Sequence, residues 1–328
     1  MFHKFTSHLS PLTSDETEQA SLRKLKCLNV IKIMKKNMFF AVLALLLATS
    51  CSNESGNEVK NSDTLVPVTV QLDGFSVSQE DFAPTRTPSS IESNTNVNAV
   101  MLAFYNGSTE AYKTVQLKAD ASTYTTFGRF TLRLPMGNYT MVAIAYYNHE
   151  SYPFTLTSPT AAAYTGDHAL DTFVKTQTVN ITNTNPVDIS ATLSHIVSQL
   201  TVVSTDGKTA DVTNVRMTLS AGGRSFNPTS GLATVNTGFA NTVGASASVG
   251  ATTTSRTYLF LATDEQTMDV TIETLNAGGD VLRSTMVSDV PFKRNRRTVL
   301  TGPMYNEVNL AGTFLIESDW LDDANITF

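Results

Sequence analysis

The chain has 328 residues, of which 23 are basic and 29 acidic, for a formal net charge of −6; 41% of residues are hydrophobic and 16% charged. That balance supports buried cores and argues against nucleic acid as a partner, because phosphate contacts need clustered cations. Cys27 and Cys51 are the two cysteines, too few for the disulfide framework of a small loop-rich fold.

Residues 1–33 include Pro11, Ser14-Asp15-Glu16 and Leu25-Lys26-Cys27 and show no sustained periodicity. Residues 34–51 have the order of a secretory signal: Lys35 and Lys36, an apolar run from Met38 through Leu47, then Ala48-Thr49-Ser50 before Cys51. The run is too short to span a bilayer, which takes about 20 apolar residues. A signal belongs at a start, so Met34 is read as the initiator and residues 1–33 as an over-extended upstream segment. Ala48-Thr49-Ser50-Cys51 resembles a bacterial lipobox, with Ala48 where leucine is usual. The resemblance implies a signal peptide at 34–50 and lipidation of Cys51; the plainer alternative is an ordinary secretory signal whose cysteine is incidental. Removing residues 1–50 takes away 7 basic and 3 acidic residues and leaves a net charge of −10. Such a chain is also poorly suited to anionic lipid.

Residues 51–65 are rich in Ser, Asn, Glu and Gly and have almost nothing to bury, the composition of a flexible tether. From Val66 onward the pattern is β. Val66, Val68, Val70 and Leu72 alternate with Pro67, Thr69 and Gln71, the period of a half-buried strand. Asp73-Gly74 breaks the phase, Phe75 and Val77 resume it on the other parity, and a glycine at a phase change predicts a bulge. Further strands are predicted at 97–105, 112–117, 129–134, 139–147 and 176–181. A second set is predicted at 189–203, 212–220, 257–262, 268–275, 281–287, 297–300 and 308–316, with a short piece at 326–328. Asp206-Gly207, Ala221-Gly222-Gly223 and Gly278-Gly279-Asp280 supply turns between them. No convincing amphipathic helix exceeds about three turns, so many short strands imply sandwiches or barrels.

The polar stretch Thr182-Asn183-Thr184-Asn185-Pro186 divides the remainder nearly in half. It sets the expected domains as an N-terminal β-sandwich at 66–185 and a C-terminal β-sandwich at 186–328. Residues 236–256, low in bulky apolar side chains, are expected to be a long loop or a weak edge hairpin.

Leu134-Pro135-Met136-Gly137-Asn138-Tyr139-Thr140, followed by Met141-Val142-Ala143-Ile144-Ala145, resembles the strand–turn–strand signature of transthyretin-like sandwiches. Val290-Pro291-Phe292-Lys293-Arg294-Asn295-Arg296-Arg297 leads through 308–316 to Ser318-Asp319-Trp320. This closing order resembles the end of fimbrillin-type fimbrial subunits, the type V pilus components of Bacteroides-like bacteria. Residues 191–202, from Ala191 through His195 to Val202, resemble the first strand of their second domain. The resemblance implies an all-β fold of two tandem transthyretin-like, Greek-key β-sandwich domains behind a lipoprotein signal and tether. It implies a surface-exposed outer-membrane lipoprotein that polymerises with other fimbrial subunits, with adhesion to a host or bacterial surface ligand.

The same resemblance implies a mechanism: an Arg-specific protease cuts after the first strand, and a strand from another subunit fills the groove that strand leaves. Here the exchanged strand would carry Val66, Val68, Val70 and Leu72. Arg86, in Phe82-Ala83-Pro84-Thr85-Arg86-Thr87-Pro88, would be the cleavage point, in the kind of exposed linker proteases reach. Arg86 as one ordinary solvated residue is the competing account. The C-terminal residues Val308, Leu310, Phe314 and Ile316, with Ile326 and Phe328, are a candidate donated segment or, more plainly, native strands. The basic run Lys293–Arg297 reads as a solvated turn; its alternative is to face Asp319, Asp322 and Asp323 of a neighbouring subunit.

Catalysis finds no foothold. His149, His168 and His195 are far apart in sequence with no metal-ligand spacing, and no nucleophile elbow, phosphate loop or dinucleotide fingerprint occurs. Asp319-Trp320-Leu321-Asp322-Asp323 lacks the ligand order and glycine of a calcium loop. Neither cofactor nor metal is expected. The alternative to a fimbrial subunit is a surface glycan-binding outer-membrane lipoprotein, whose aromatic platform would have to use Trp320, Tyr146-Tyr147 or Tyr152-Pro153-Phe154.

Overall fold

The computed structural model describes residues 64–76, 90–166, 168–306 and 315–318. The first strand, β1 (Val66–Ser76), follows the alternation of its sequence: Val66, Val68 and Val70 are fully buried and Leu72 nearly so. The bulge falls where the phase breaks. Pairing shifts between Leu72 and Gly74, Gly74 takes φ 145°, and Phe75 turns inward. A side chain at position 74 would meet that backbone with strain, which is why glycine serves there.

Six more strands complete a seven-stranded sheet: β2 (Ala99–Asn106), β3 (Thr109–Leu117), β4 (Arg129–Leu134), β5 (Gly137–Tyr146), β8 (Thr172–Ile181) and β9 (Val187–His195), in the order β3-β2-β5-β8-β9-β1-β4. It folds on itself into a sandwich. Val66, Val68, Val70, Leu132, Ile189 and Leu193 on one side share a core with Val100, Leu102, Phe104, Met141 and Ala143 on the other. The turn at Pro135 closes with the Tyr139 hydroxyl donating to the Pro135 carbonyl at 2.9 Å. Two short 3₁₀ turns meeting at a kink at Asp120, together Lys118–Thr123, link β3 to the loop before β4.

The second sandwich apposes two four-stranded sheets. One contains β10 (Ser198–Ser204), β15 (Thr254–Leu259), β18 (Arg297–Gly302) and β19 (Leu315–Ser318), ordered β15-β10-β18-β19. The other contains β11 (Asn214–Leu219), β14 (Phe239–Gly244), β16 (Glu265–Leu275) and β17 (Val281–Lys293), ordered β14-β11-β16-β17. Leu200, Val202 and Leu300 face Val215, Met217, Val270, Ile272 and Phe292 across the core.

A small sheet, β13-β12-β7-β6, couples these two sandwiches: β6 (Phe154–Ser158) and β7 (Ala161–Tyr164) come from the first half of the chain, β12 (Ser225–Asn227) and β13 (Leu232–Ala233) from the second. Beneath it lies a third core. Ala99, Met101, Ala103 and Tyr105 of β2 and Val142, Ile144 and Tyr146 of β5 meet Leu156, Tyr164, Phe226 and Phe260 there. Strands β2 and β5 are therefore covered on both faces, consistent with their near-continuous apolar sequences. The rings of Phe226 and Phe260 sit 4.4 Å apart, and Phe154 and Tyr164 5.0 Å apart.

Three expectations need correction. The boundary drawn at 185/186 falls inside the first sheet, because β9 runs parallel to β1 from Val68↔Val187 to Ser76↔Ser194 and meets β8 at Phe173↔His195. The single strand expected at 189–203 is instead two, β9 and β10, broken at Ile196-Val197, whose side chains enter the third core. Thus β9 belongs to the first sheet, and β10 opens the second sandwich. Residues 236–256 are neither a plain loop nor a hairpin: β14 pairs with β11 and β15 with β10, so the segment crosses from one sheet of the sandwich to the other.

The approach to the C-terminal segment is held by Asp206. Its carboxylate accepts the backbone N–H groups of Met304 (2.7 Å), Tyr305 (2.9 Å) and Asn306 (2.7 Å). Partial burial pushes this carboxyl up, but the backbone donors together outweigh that effect and hold its pKa below the ordinary value. A depressed carboxylate pKa contributes stability that is present above the unfolded value, near 4, and lost as pH falls toward the folded one. Asp206→Asn is expected to cost about 1–2 kcal/mol at pH 7. Denaturant unfolding at pH 7 and pH 3 checks this, since wild type and variant should converge at the lower pH.

Candidate assembly site

All four residues singled out for the exchanged strand, Val66, Val68, Val70 and Leu72, lie in one slot with Phe75. The slot has two walls. On one side β4 runs antiparallel to β1, from Val66↔Leu134 to Gln71↔Arg129; on the other β9 runs parallel. Phe130, Leu132 and Leu134 of β4 point into the core, while Arg129, Thr131 and Arg133 face outward. At the sheet edge, β4 has β1 as its ladder partner, so its place depends on β1 being present.

Polar contacts fix the register. The Leu72 N–H donates to the Gly128 carbonyl at 3.0 Å, and the Ser190 hydroxyl donates to the Asp73 carboxylate. The Phe75 ring lies 4.0 Å from that of Phe173 on β8, pinning the far end of the strand across the core. Leu65, just before the slot, is 48% exposed, so burial begins abruptly at Val66. Cys51 and Arg86 lie outside the described residues, as do Val308, Leu310, Phe314, Asp319, Trp320, Asp322, Asp323, Ile326 and Phe328.

The basic run forms the turn between β17 and β18, with Asn295 at φ 58°. It is tied down within the chain. Lys293 pairs with Glu265 at 2.8 Å and Arg294 with Asp264 at 2.8 Å, and Arg294 also donates to the Ser230 carbonyl at 2.8 Å. The Lys293 ammonium holds the Glu265 carboxyl below the usual range. His195 packs under this turn: Nδ1 lies 2.6 Å from Asn295 Oδ1, Nε2 contacts Asp171, and the ring stacks 4.5 Å from Phe173.

His149 and His168, distant in sequence, are brought to one tyrosine. His149 lies 5.3 Å and His168 4.2 Å from the Tyr152 ring, and Tyr147, 38% exposed, stacks 6.4 Å from His149. Residue spacing concealed this because the loops before β6 and after β7 meet only through the pairing of those strands. Tyr146 and Phe154 instead belong to the third core. Among the described residues, no group of three His, Cys, Asp or Glu side chains could hold a metal ion.

The model of a family of unknown function, DUF6562, matches residues 66–327. No curated protein matches the chain. Among solved structures, it is similar to the fimbrial anchor protein Mfa2 from Porphyromonas gingivalis, with 11% identity over 77% of this chain and 97% of that one and a TM-score of 0.45. A candidate adhesin from Bacteroides ovatus aligns at 11% identity over 73% of this chain and 88% of its own, with a TM-score of 0.46. The tip fimbrial protein Mfa3 from Porphyromonas gingivalis aligns at 11% identity over 78% and 100%, with a TM-score of 0.39.

Proposed function

The chain belongs to the DUF6562 family, and from its β1 slot we propose that it is a structural subunit of a cell-surface fimbria, exported as a lipoprotein on Cys51, assembled by strand exchange and serving adhesion. One observation carries the reading. A strand that comes first in the fold inserts between two others and plugs alternate side chains into the core. Withdrawing it would expose unpaired backbone along both β9 and β4 and empty a row of apolar pockets, the two features that strand addition uses. Hydrolysis of the bond after Arg86 would leave β1 attached to the body of the protein by noncovalent contacts alone, so lipid and strand would depart together. Left uncut, Cys51 would hold the subunit at the outer membrane as an anchor. No catalysis by this chain is proposed.

Mass spectrometry of the N-terminus of native protein tests the reading. Assembled subunits are expected to begin at Thr87, and an anchoring subunit at an acylated Cys51. An unacylated chain that retains β1 and is released as a free monomer would overturn both export as a lipoprotein and strand exchange. A second reading, a glycan-binding surface lipoprotein, draws support from the ring cluster of Tyr147, His149, Tyr152 and His168. It predicts a uniformly acylated Cys51 with β1 retained in every molecule.

A further inference from the structure

The basic turn is one wall of a cleft of about 610 Å³. That volume falls within the range of small-ligand sites, roughly 300–1,000 Å³. Its other walls are β8 at Val174–Thr176, the end of β9, the turn joining β12 to β13, and the start of β16. Among the described residues four cations line it, Lys175, Lys293, Arg294 and Arg296, against two carboxylates, Asp264 and Glu265. The carboxylates are already committed to Arg294 and Lys293. Lys175 and Arg296 have no acidic partner among the described residues, so the cleft keeps two positive charges on a chain whose net charge is −6. A concave, locally cationic site on an acidic protein focuses potential on anions and leaves the remaining surface repelling them.

The walls are braced before any ligand arrives. Arg294 bridges Asp264 and the Ser230 carbonyl, the Asn295 N–H donates to the Val197 carbonyl at 2.9 Å, and the Arg296 carbonyl accepts from the Gln199 N–H at 3.1 Å. Thr176 donates to the Pro228 carbonyl at 3.0 Å, fastening β8 to the opposite turn. Gly231, at φ 72°, lets that turn close up: a Cβ there would lie 2.9 Å from Ile196 and 3.0 Å from the Arg294 guanidinium. Preorganised walls reduce the ordering cost of binding. Hydroxyls of Thr176, Ser194, Thr229 and Ser230 stand among the cations, and among the described residues no aromatic ring other than the His195 imidazole lines the space. Cations interleaved with hydroxyls read carboxylates and sugar hydroxyls together.

We propose that this cleft binds a short carboxylated oligosaccharide, with Lys175 and Arg296 as its carboxylate-reading residues. The inference deepens the adhesive part of the proposed function but does not need polymerisation, so the unassembled chain tests it and failure here leaves strand exchange standing. Calorimetric titration of the purified full-length chain with α-1,4-linked trigalacturonate should give saturable binding that weakens with added salt, and maltotriose should give none. Lys175→Gln and Arg296→Gln should each weaken trigalacturonate binding about tenfold, with Arg296→Lys within a few-fold of wild type. Unfolding midpoints of the variants verify that the fold survives; if a glutamine variant unfolds, binding by wild type and Arg296→Lys across the salt series carries the test. Three results would overturn the proposal: no saturable trigalacturonate binding, binding indifferent to both glutamine substitutions in folded protein, or equal affinity for inorganic sulfate or a hexa-aspartate peptide.

Discussion

Val68→Asp should abolish the first sandwich, whereas Thr69→Asp, one residue on, should leave it standing. Val68 is fully buried between β4 and β9, while Thr69 is only partly covered on the outer face. A carboxylate in the Val68 pocket would lose its hydration among the apolar side chains of the first core, so it must either stay charged at high cost or take up a proton. A loss of at least about 4 kcal/mol is expected for Val68→Asp and less than about 1 kcal/mol for Thr69→Asp, measured by urea unfolding. Burial of Val66, Val68, Val70, Leu72 and Phe75, at about 1.5–3 kcal/mol each, sums to roughly 8–15 kcal/mol. That is an upper estimate, but it matches the whole stability of a typical domain, roughly 5–15 kcal/mol. A subunit stripped of β1 therefore needs another strand in its place. A synthetic peptide with the sequence of residues 66–76, added to chain cut at Arg86 and separated from its own strand, should restore a cooperative thermal transition. The same peptide carrying Val68→Asp should not. Recovery with both peptides, or with neither, would refute a specific slot.

How much of this was legible in the sequence depended on whether a signal was local. The alternation of β1, its bulge at Gly74, and the inward Phe130, Leu132 and Leu134 of β4 could be read directly, because one buried face imposes period two on a strand. Allegiance could not. Ile189, Ala191 and Leu193 show the same period whichever sheet they join, and nothing within β9 announces that its partner is β1, more than a hundred residues earlier. The small coupling sheet was missed for another reason. Its strands have two to five residues, and Ala161-Ala162-Ala163 and Leu232-Ala233 are too short and too small in side chain to show periodicity. Yet there was a clue in β2 and β5. Val100–Tyr105 and Met141–Tyr146 are apolar without alternation, the mark of strands covered on both faces, which required a further layer that the two-sandwich expectation did not supply. The cleft was half legible: the basic run was conspicuous, but Lys175 joins it only through the fold.

That further layer makes the second large effect. Phe226→Ala should cost about 3–5 kcal/mol, as expected for emptying a fully buried aromatic site. Its consequence should reach beyond that cost. Phe226 comes from the second half of the chain, yet it packs in a core otherwise built largely from β2, β5, β6 and β7, with Phe260 at 4.4 Å and Phe154 at 6.1 Å. The two sandwiches have separate cores, so the third one is the apolar link that makes unfolding of either felt by the other. Calorimetry of the wild type should show one transition; Phe226→Ala should split it into two, because the coupling falls while each sandwich keeps its own interior. Leu200→Ala, which empties a site in the second core alone, should lower stability by a similar few kcal/mol without removing that link. If Phe226→Ala merely lowered a single transition, then Phe260, Ile196 and Val197, which also enter the third core, would suffice to keep the sandwiches coupled, and Phe226 would not be decisive for the link. Assembly depends on the same link, because withdrawal of β1 loosens the first sandwich. With the third core intact, that loosening is transmitted to the second sandwich; without it, the first sandwich would open alone. The third core therefore decides whether strand exchange is a local event or one that the whole subunit senses.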